Sequence, residues 1–176
     1  EIEIPPDPLF AEADVELLAA APGRERPAGD PDLVEQAAKL LGNAAKPLIY
    51  SGGGVLNSEA WDELLTLAEL LQAPVVMSAN GRGAISDRHY LGQNSLAGME
   101  LIQDADVVFC VGTRMIEPAT YPWGLKPGRT AIQMDIDPEE VGRNYDVTVG
   151  IVADAKAGLA ALAERVAAHN RAPPSR

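Results

Sequence analysis

The chain has 176 residues, the size of one ordinary domain, with 47% hydrophobic and 23% charged residues, as expected of a globular protein with a sizeable core. Its 14 Lys and Arg against 26 Asp and Glu leave a net charge of -12, a surface that nucleic acid or an anionic membrane repels. The single cysteine, Cys110, excludes an internal disulfide and a multi-cysteine zinc site, and no stretch approaches the roughly 20 apolar residues of a membrane helix. The expected compartment is therefore the cytoplasm.

In chain order, Glu1-Ile2-Glu3-Ile4 alternates like a strand and stops at Pro5-Pro6. Residues 7–29, rich in Pro, Ala and Glu, read as a linker carrying a short helical piece around Glu12–Ala20. Asp30 caps a helix with Pro31 at its first position; Leu33, Val34, Ala37, Ala38, Leu40 and Leu41 form its apolar face, and Gly42 ends it. A short buried strand, Pro47–Ser51, follows. Ser58 starts a second helix, with Glu59, Asp62 and Glu63 near its positive end and a core face of Trp61, Leu64, Leu65, Ala68 and Leu71. Pro74–Ser78 is the next strand, and residues 80–90 read as an exposed loop. A helix near Met99–Gln103 leads to the strand Val107–Val111. Ala131–Asp135 and Val147–Val152 are further strands, and a helix runs from Ala155 to about Ala168. The tail Ala172–Arg176 carries two prolines and is neither helix nor sheet interior.

Continuous apolar strands separated by amphipathic helices predict a doubly wound α/β fold, a Rossmann-like parallel sheet of five or six strands with helices on both faces. The expected organisation is a tail of a preceding domain plus linker over 1–29, one domain over 30–169, and a linker over 170–176 to a C-terminal domain outside the chain.

Ligands of such sheets bind beyond the carboxyl ends of the strands, where loops expose backbone N–H groups. Four features fall there. Gly52, Gly53 and Gly54 follow the first core strand and can form either a tight turn or a phosphate cradle; Asn57 stands where GxGxxG would have its last glycine. Gly112, Thr113 and Arg114 follow the third strand, where the arginine either holds a diphosphate or ring, or is solvated. Asp135, Ile136 and Asp137 end the fourth strand; a carboxylate there either accepts from ribose hydroxyls or, at Asp137-Pro138, starts a helix. Asp154 and Ala155 open the last helix, Asp154 as its cap or as an adenine or ribose contact. His89 and His169 have no ligand-spaced partners, and no Gly-x-Ser-x-Gly elbow or nucleophile–base spacing occurs, so no catalytic residue and no metal ligand is assigned. Cys110, inside the apolar run Val107–Val111, reads as a buried, inert thiol.

Taken in order, these segments resemble the central domain of acetolactate synthase and related thiamine-diphosphate-dependent enzymes, such as benzoylformate decarboxylase and pyruvate oxidase. Lys46–Val55 is similar to that domain's opening strand and glycine turn. Ala73–Ile85, followed by His89 and Leu91-Gly92, resembles its next strand and G-x-G segment. Asp104–Arg114 is similar to DADLVLxxGxR, Gln133–Asn144 to DIDPxEIGxN, and Asp154-Ala155-Lys156 to GDxK. Glu1–Asp7 resembles the last strand of the family's pyrimidine-binding domain.

The resemblance implies a parent enzyme, a homodimer or homotetramer, that binds thiamine diphosphate and Mg²⁺ between a glutamate-bearing pyrimidine-binding domain and a diphosphate-binding domain with a GDG…N motif. Neither is in this chain. It implies decarboxylation or carboligation of a 2-oxo acid by the parent, and no catalysis by this chain alone. It further implies that Gly52–Gly54, Gly112–Arg114, Asp135–Asp137 and Asp154–Ala155 match positions that hold FAD in some members and ADP in a few. Leu91-Gly92-Gln93-Asn94 stands where flavin-containing members have GMHG, and Met115-Ile116-Glu117-Pro118 where they have FDDR, so FAD fits less well than ADP or an empty site. Two alternatives stand beside this reading: an adenine-nucleotide binding module with a regulatory or structural role, and a self-contained NAD-using enzyme of sirtuin-like or deoxyhypusine-synthase-like fold.

Overall fold

The computed structural model describes residues 3–19, 23, 25–116 and 129–170. After a single helical turn, α1 (Pro6–Leu9), the elements run α2 (Pro31–Asn43), β1 (Pro47–Ser51), α3 (Gly53–Asn57), α4 (Trp61–Leu71), β2 (Val75–Met77), β3 (Gly92–Gln93), α5 (Ser95–Asp104), β4 (Val107–Val111), β5 (Thr130–Asp135), β6 (Val149–Val152) and α6 (Ala155–His169). The sheet has six strands in the order β3-β2-β1-β4-β5-β6, and every pairing is parallel. The doubly wound α/β class expected from the sequence is the one observed.

Each strand sends alternate side chains to opposite faces. Ile49, Phe109, Ile132 and Ile151 face the larger core, which α2, α4 and α6 cover with Val34, Leu41, Leu64, Leu67, Leu159 and Leu162. Leu48, Val76, Val108 and Cys110 face the opposite side, where Ile102 of α5 packs. Asp30 caps α2 by accepting from the N–H groups of Asp32 at 2.8 Å and Leu33 at 3.2 Å, with Pro31 at the first position. Arg129 donates to the carbonyls of Ile102, Gln103 and Ala105, so one guanidinium meets the negative end of α5.

Several expectations change. Gly42 lies inside α2 rather than ending it: a Cβ there would stand 2.7 Å from Cβ of His169, so this glycine lets α6 approach. Ser58 does not start the second helix. The glycine turn winds into α3, the chain reverses through Glu59 in the left-handed region (φ 54°), and α4 begins at Trp61. Trp61 is 43% exposed, because the packed face of α4 starts a turn later at Leu64 and continues through Leu67, Ala68 and Leu71. Residues 12–19 form no helix, and Glu3 and Ile4 no strand; Glu1, Ile2, Ala20 and the 172–176 tail lie outside the described residues. Asp137-Pro138 opens a series of turns instead of a helix. The 80–90 segment is only partly exposed, since Ala84 and Ile85 plug into the larger core. β3, two residues long, carries too little pattern to be read in advance.

Candidate functional site

The strand order fixes where the site is. The chain leaves β1 toward β2 on one side and leaves β4 toward β5 on the other, so the loops after these neighbouring strands diverge and open a crevice. The predicted glycine turns are those two loops. They meet backbone to backbone: a Cβ on Gly52 would lie 2.1 Å from the carbonyl oxygen of Gly112, and one on Gly54 2.6 Å from Cα of Gly112. Gly112 itself has φ +59°, the left-handed region that glycine enters without strain.

This contact takes up part of the turn's hydrogen-bonding capacity. Gly52 N–H donates to Val111 O at 2.9 Å, Gly54 N–H to Gly112 O at 3.0 Å, and Val55 N–H to Gly52 O at 3.3 Å. Of the four amides from Gly52 to Val55, only that of Gly53 has no acceptor among the described residues. The glycines serve loop-to-loop packing, and one amide of the turn keeps no acceptor among the described residues.

A cleft of about 1040 Å³ opens above these loops. Gly53, Gly54, Gly112, Thr113, Arg114, Asp135, Ile136 and Asp137 line it, together with Asn57, Ser78, Asn80 and Glu140. Eight of the eleven predicted site residues are thus brought to one crevice, and Gly52, packed against Gly112, is not among its lining residues. Asp154 and Ala155 are not among its lining residues. Asp154 caps α6, accepting from Lys156 N–H at 3.1 Å and Ala157 N–H at 3.2 Å, and takes the Ser58 hydroxyl at 2.9 Å. Asp137 accepts from Glu139 N–H at 2.9 Å, and Asp135 from Asp137 N–H at 3.1 Å, so both carboxylates already shape the turn after β5.

Sequence reasoning passes over Gln133, which is 1% exposed in the middle of β5. Its amide NH₂ donates to Thr113 O at 3.2 Å and Glu140 O at 3.0 Å, and its oxygen accepts from Gly142 N–H at 2.8 Å. One side chain thereby ties the loop after β4 to the loop after β5, the two walls flanking Arg114. A glutamine inside an otherwise apolar strand was the available signal. Glu140 is a second omission: its Oε1 pairs with Arg143 at 2.8 Å, while Oε2 is buried with no hydrogen-bond partner among the described residues.

The charged lining is Arg114 against Asp135, Asp137 and Glu140. Burial, followed by the proximity of Cys110 and Tyr145, pushes the Tyr50 phenol up to about 12, so it lines the cleft as a neutral hydroxyl. Burial likewise pushes the Cys110 thiol up to about 12. No group of three or more His, Cys, Asp or Glu among the described residues can hold a metal ion. The donor set suits recognition of a polar ligand. No described helix is long and apolar enough to cross a membrane.

The family model described as "Thiamine pyrophosphate enzyme, central domain" matches residues 34–162. The chain is 36% identical over 178 residues to a sulfoacetaldehyde acetyltransferase of Rhodobacter capsulatus, a match covering 96% of the chain and 30% of that protein. It is 38% identical over 147 residues to an acetolactate synthase of Mycobacterium avium, covering 80% of the chain and 24% of the relative. Among solved structures, a putative thiamin diphosphate-dependent enzyme from Mycobacterium smegmatis superposes with a TM-score of 0.70 at 25% identity, over 90% of the chain and 32% of the other. Benzoylformate decarboxylase from Polynucleobacter necessarius shares the fold, with a TM-score of 0.68 at 24% identity over 89% of the chain and 31% of the other. The chain spans under a third of the length of each of these proteins. With its switch-point crevice, its strand order and this match, the chain belongs to the family of thiamine pyrophosphate enzyme central domains.

Proposed function

We propose that this chain is the central part of a thiamine-diphosphate- and Mg²⁺-dependent enzyme that acts on a 2-oxo acid by decarboxylation or carboligation, and that it performs no catalysis alone. The observation that carries this reading is the family match over residues 34–162 in a chain spanning under a third of its relatives. The named activities of two of those relatives, an acetyltransferase and an acetolactate synthase, support the carboligation arm. When bound, thiamine diphosphate supplies carbanion stabilisation. The residues of this chain do not fit that group, since three carboxylates face one guanidinium in the cleft and no described cluster suits the metal. Flanking pyrimidine- and diphosphate-binding domains would therefore hold it, in a cytoplasmic homodimer or homotetramer, with residues 1–29 and 170–176 as the connections. What this chain contributes is a rigid sheet with its crevice, and α2 and α6 as the elements next to those connections.

The test is CO₂ release from pyruvate and benzoylformate with thiamine diphosphate and Mg²⁺ added. The full-length protein is expected to turn over at least one 2-oxo acid only with the cofactor, and the isolated chain none. Cofactor-dependent turnover by the isolated chain, or its absence from the full-length protein across a panel of 2-oxo acids, overturns the proposal.

A second reading, adenine-nucleotide binding in the crevice, is favoured by the convergence there of Gly53, Gly54, Gly112–Arg114 and Asp135–Asp137. ADP fits it better than FAD, and the paired turn amides leave Arg114 as the main anion contact. ADP should then raise the melting temperature more than FMN does, by the equivalent of about 2.7 kcal/mol at 100 times its dissociation constant. Arg114→Ala should shrink that shift and Arg82→Ala, outside the cleft lining, should not. No shift with millimolar ADP, FAD or NAD would leave the crevice as architecture.

A further inference from the structure

The reversal between α3 and α4 is strained, and three side-chain hydrogen bonds converge on it. Glu59 takes φ 54°, left-handed backbone that a non-glycine residue enters at a cost and keeps only where its surroundings hold it. Val55 before the bend and Ala60 after it are fully buried, whereas Leu56 to Glu59 are half-buried or exposed. Apolar packing therefore fixes the two ends of the bend and leaves its middle to polar contacts.

Those contacts come from two distant parts of the chain. Arg26 donates to Ser58 O at 2.7 Å, the Ser58 hydroxyl donates to Asp154 at 2.9 Å, and Lys156 Nζ donates to Glu59 O at 3.1 Å. Ion pairs of Arg26 with Asp154 at 3.7 Å and of Lys156 with Glu63 at 3.8 Å accompany them. Pairs between partly exposed side chains contribute little, so the charge-assisted bonds to the two carbonyls carry the hold. Asp154 N–H also donates to Pro27 O at 2.8 Å, which ties the connection before α2 to the same hub.

The held bend is at the same time a wall of the crevice, since Leu56 and Asn57 line the cleft. We propose that Arg26, Asp154 and Lys156 are positioning residues that latch Leu56–Glu59 in place, and that through Arg26 the connection before α2 sets this end of the crevice. Asp154, absent from the cleft lining, acts on the crevice from behind its wall. The latch does not depend on which ligand the crevice takes.

Hydrogen exchange of the full-length protein, resolved to single amides, tests this. The N–H groups of Ser58 and Glu59 donate to Gly54 O and Leu56 O, each at 3.0 Å, so their protection reports whether the bend is closed. Arg26→Ala and, separately, Lys156→Ala should speed exchange at Ser58 and Glu59 about tenfold, as loss of one charge-assisted hydrogen bond implies. The amides of β1 and β4 should keep their rates. Arg26→Lys should restore most of the protection, because an ammonium still donates to Ser58 O. Lys39→Ala, which removes the cation paired with Glu35 on α2, is the control and should leave both amides unchanged. Unchanged exchange at Ser58 and Glu59 in either alanine variant, or equal acceleration of the strands, overturns the proposal. An Arg26→Lys protein as fast as Arg26→Ala, or faster exchange at the bend in Lys39→Ala, overturns it as well.

Discussion

Replacing Gln133 tests whether the walls of the crevice are held by one side chain. Gln133→Leu keeps nearly the same volume but removes three hydrogen bonds, of 3.2, 3.0 and 2.8 Å. Two carbonyls and one N–H lose their partner, and each such loss costs about 1–3 kcal/mol when water cannot replace it. Thr113 and Glu140 are half-buried, so water recovers part of this, and the leucine gains some apolar burial in return. A net loss of about 2–3 kcal/mol is expected, which in a domain of this size lowers the melting temperature by about 5–10 °C. The assay is thermal and urea unfolding of the purified chain followed by circular dichroism, with a single cooperative transition expected of the unmodified domain. Gln133→Glu supplies the control. At neutral pH it still accepts from Gly142 but turns a carboxylate toward two carbonyl oxygens, so it should be less stable than the leucine variant. It should recover on acidification, as the protonated carboxyl regains a donor. A Gln133→Leu protein within about 0.5 kcal/mol of the unmodified chain would refute the reasoning.

Gly52→Ala should cost about 2–3 kcal/mol, because its methyl would sit 2.1 Å from a backbone oxygen and force the two loops apart; denaturant titration measures it. Cys110, 1% exposed and with its thiol pushed up to about 12 by burial, should react with a thiol reagent at pH 8 only as fast as the domain unfolds; rapid labelling of the folded chain would contradict that. Glu35 is held below the ordinary carboxylate value by its 2.9 Å hydrogen bond to His169 and, after that, by Lys39. The stability it contributes is present above the ordinary value and disappears as pH falls through the lowered one. Glu35→Gln should therefore melt lower than the unmodified chain near pH 6 and lose less on going to pH 3; identical acid profiles would count against the pairing.

Local pattern was enough to read the parallel sheet. The apolar runs Pro47–Ser51 and Val107–Val111 are strands over those same residues, and Asp30-Pro31 starts α2 as its capping chemistry requires. The glycines after β1 and β4 were legible as special positions, because a glycine at a strand end permits a tight turn or a close backbone approach. Their purpose was not legible. How far Gly52–Gly54 clear space for Gly112 depends on residues some 60 positions away, and the loop-to-loop contact takes up the amides of Gly52 and Gly54. Asp154 divides the same way: its capping role is local and readable, whereas its bond to Ser58, 96 residues earlier, exists only once α6 has packed. Gln133 looked like an exception in an apolar strand; only the tertiary structure supplies the three backbone groups that make it a tie. The sequence by itself determined five of the six strands, the caps at Asp30 and Asp154 and the family motifs, because each depends on neighbours within a few residues. The tertiary structure alone decided which loops face each other across the switch point and which polar groups are already satisfied, because those are contacts between residues the chain keeps far apart.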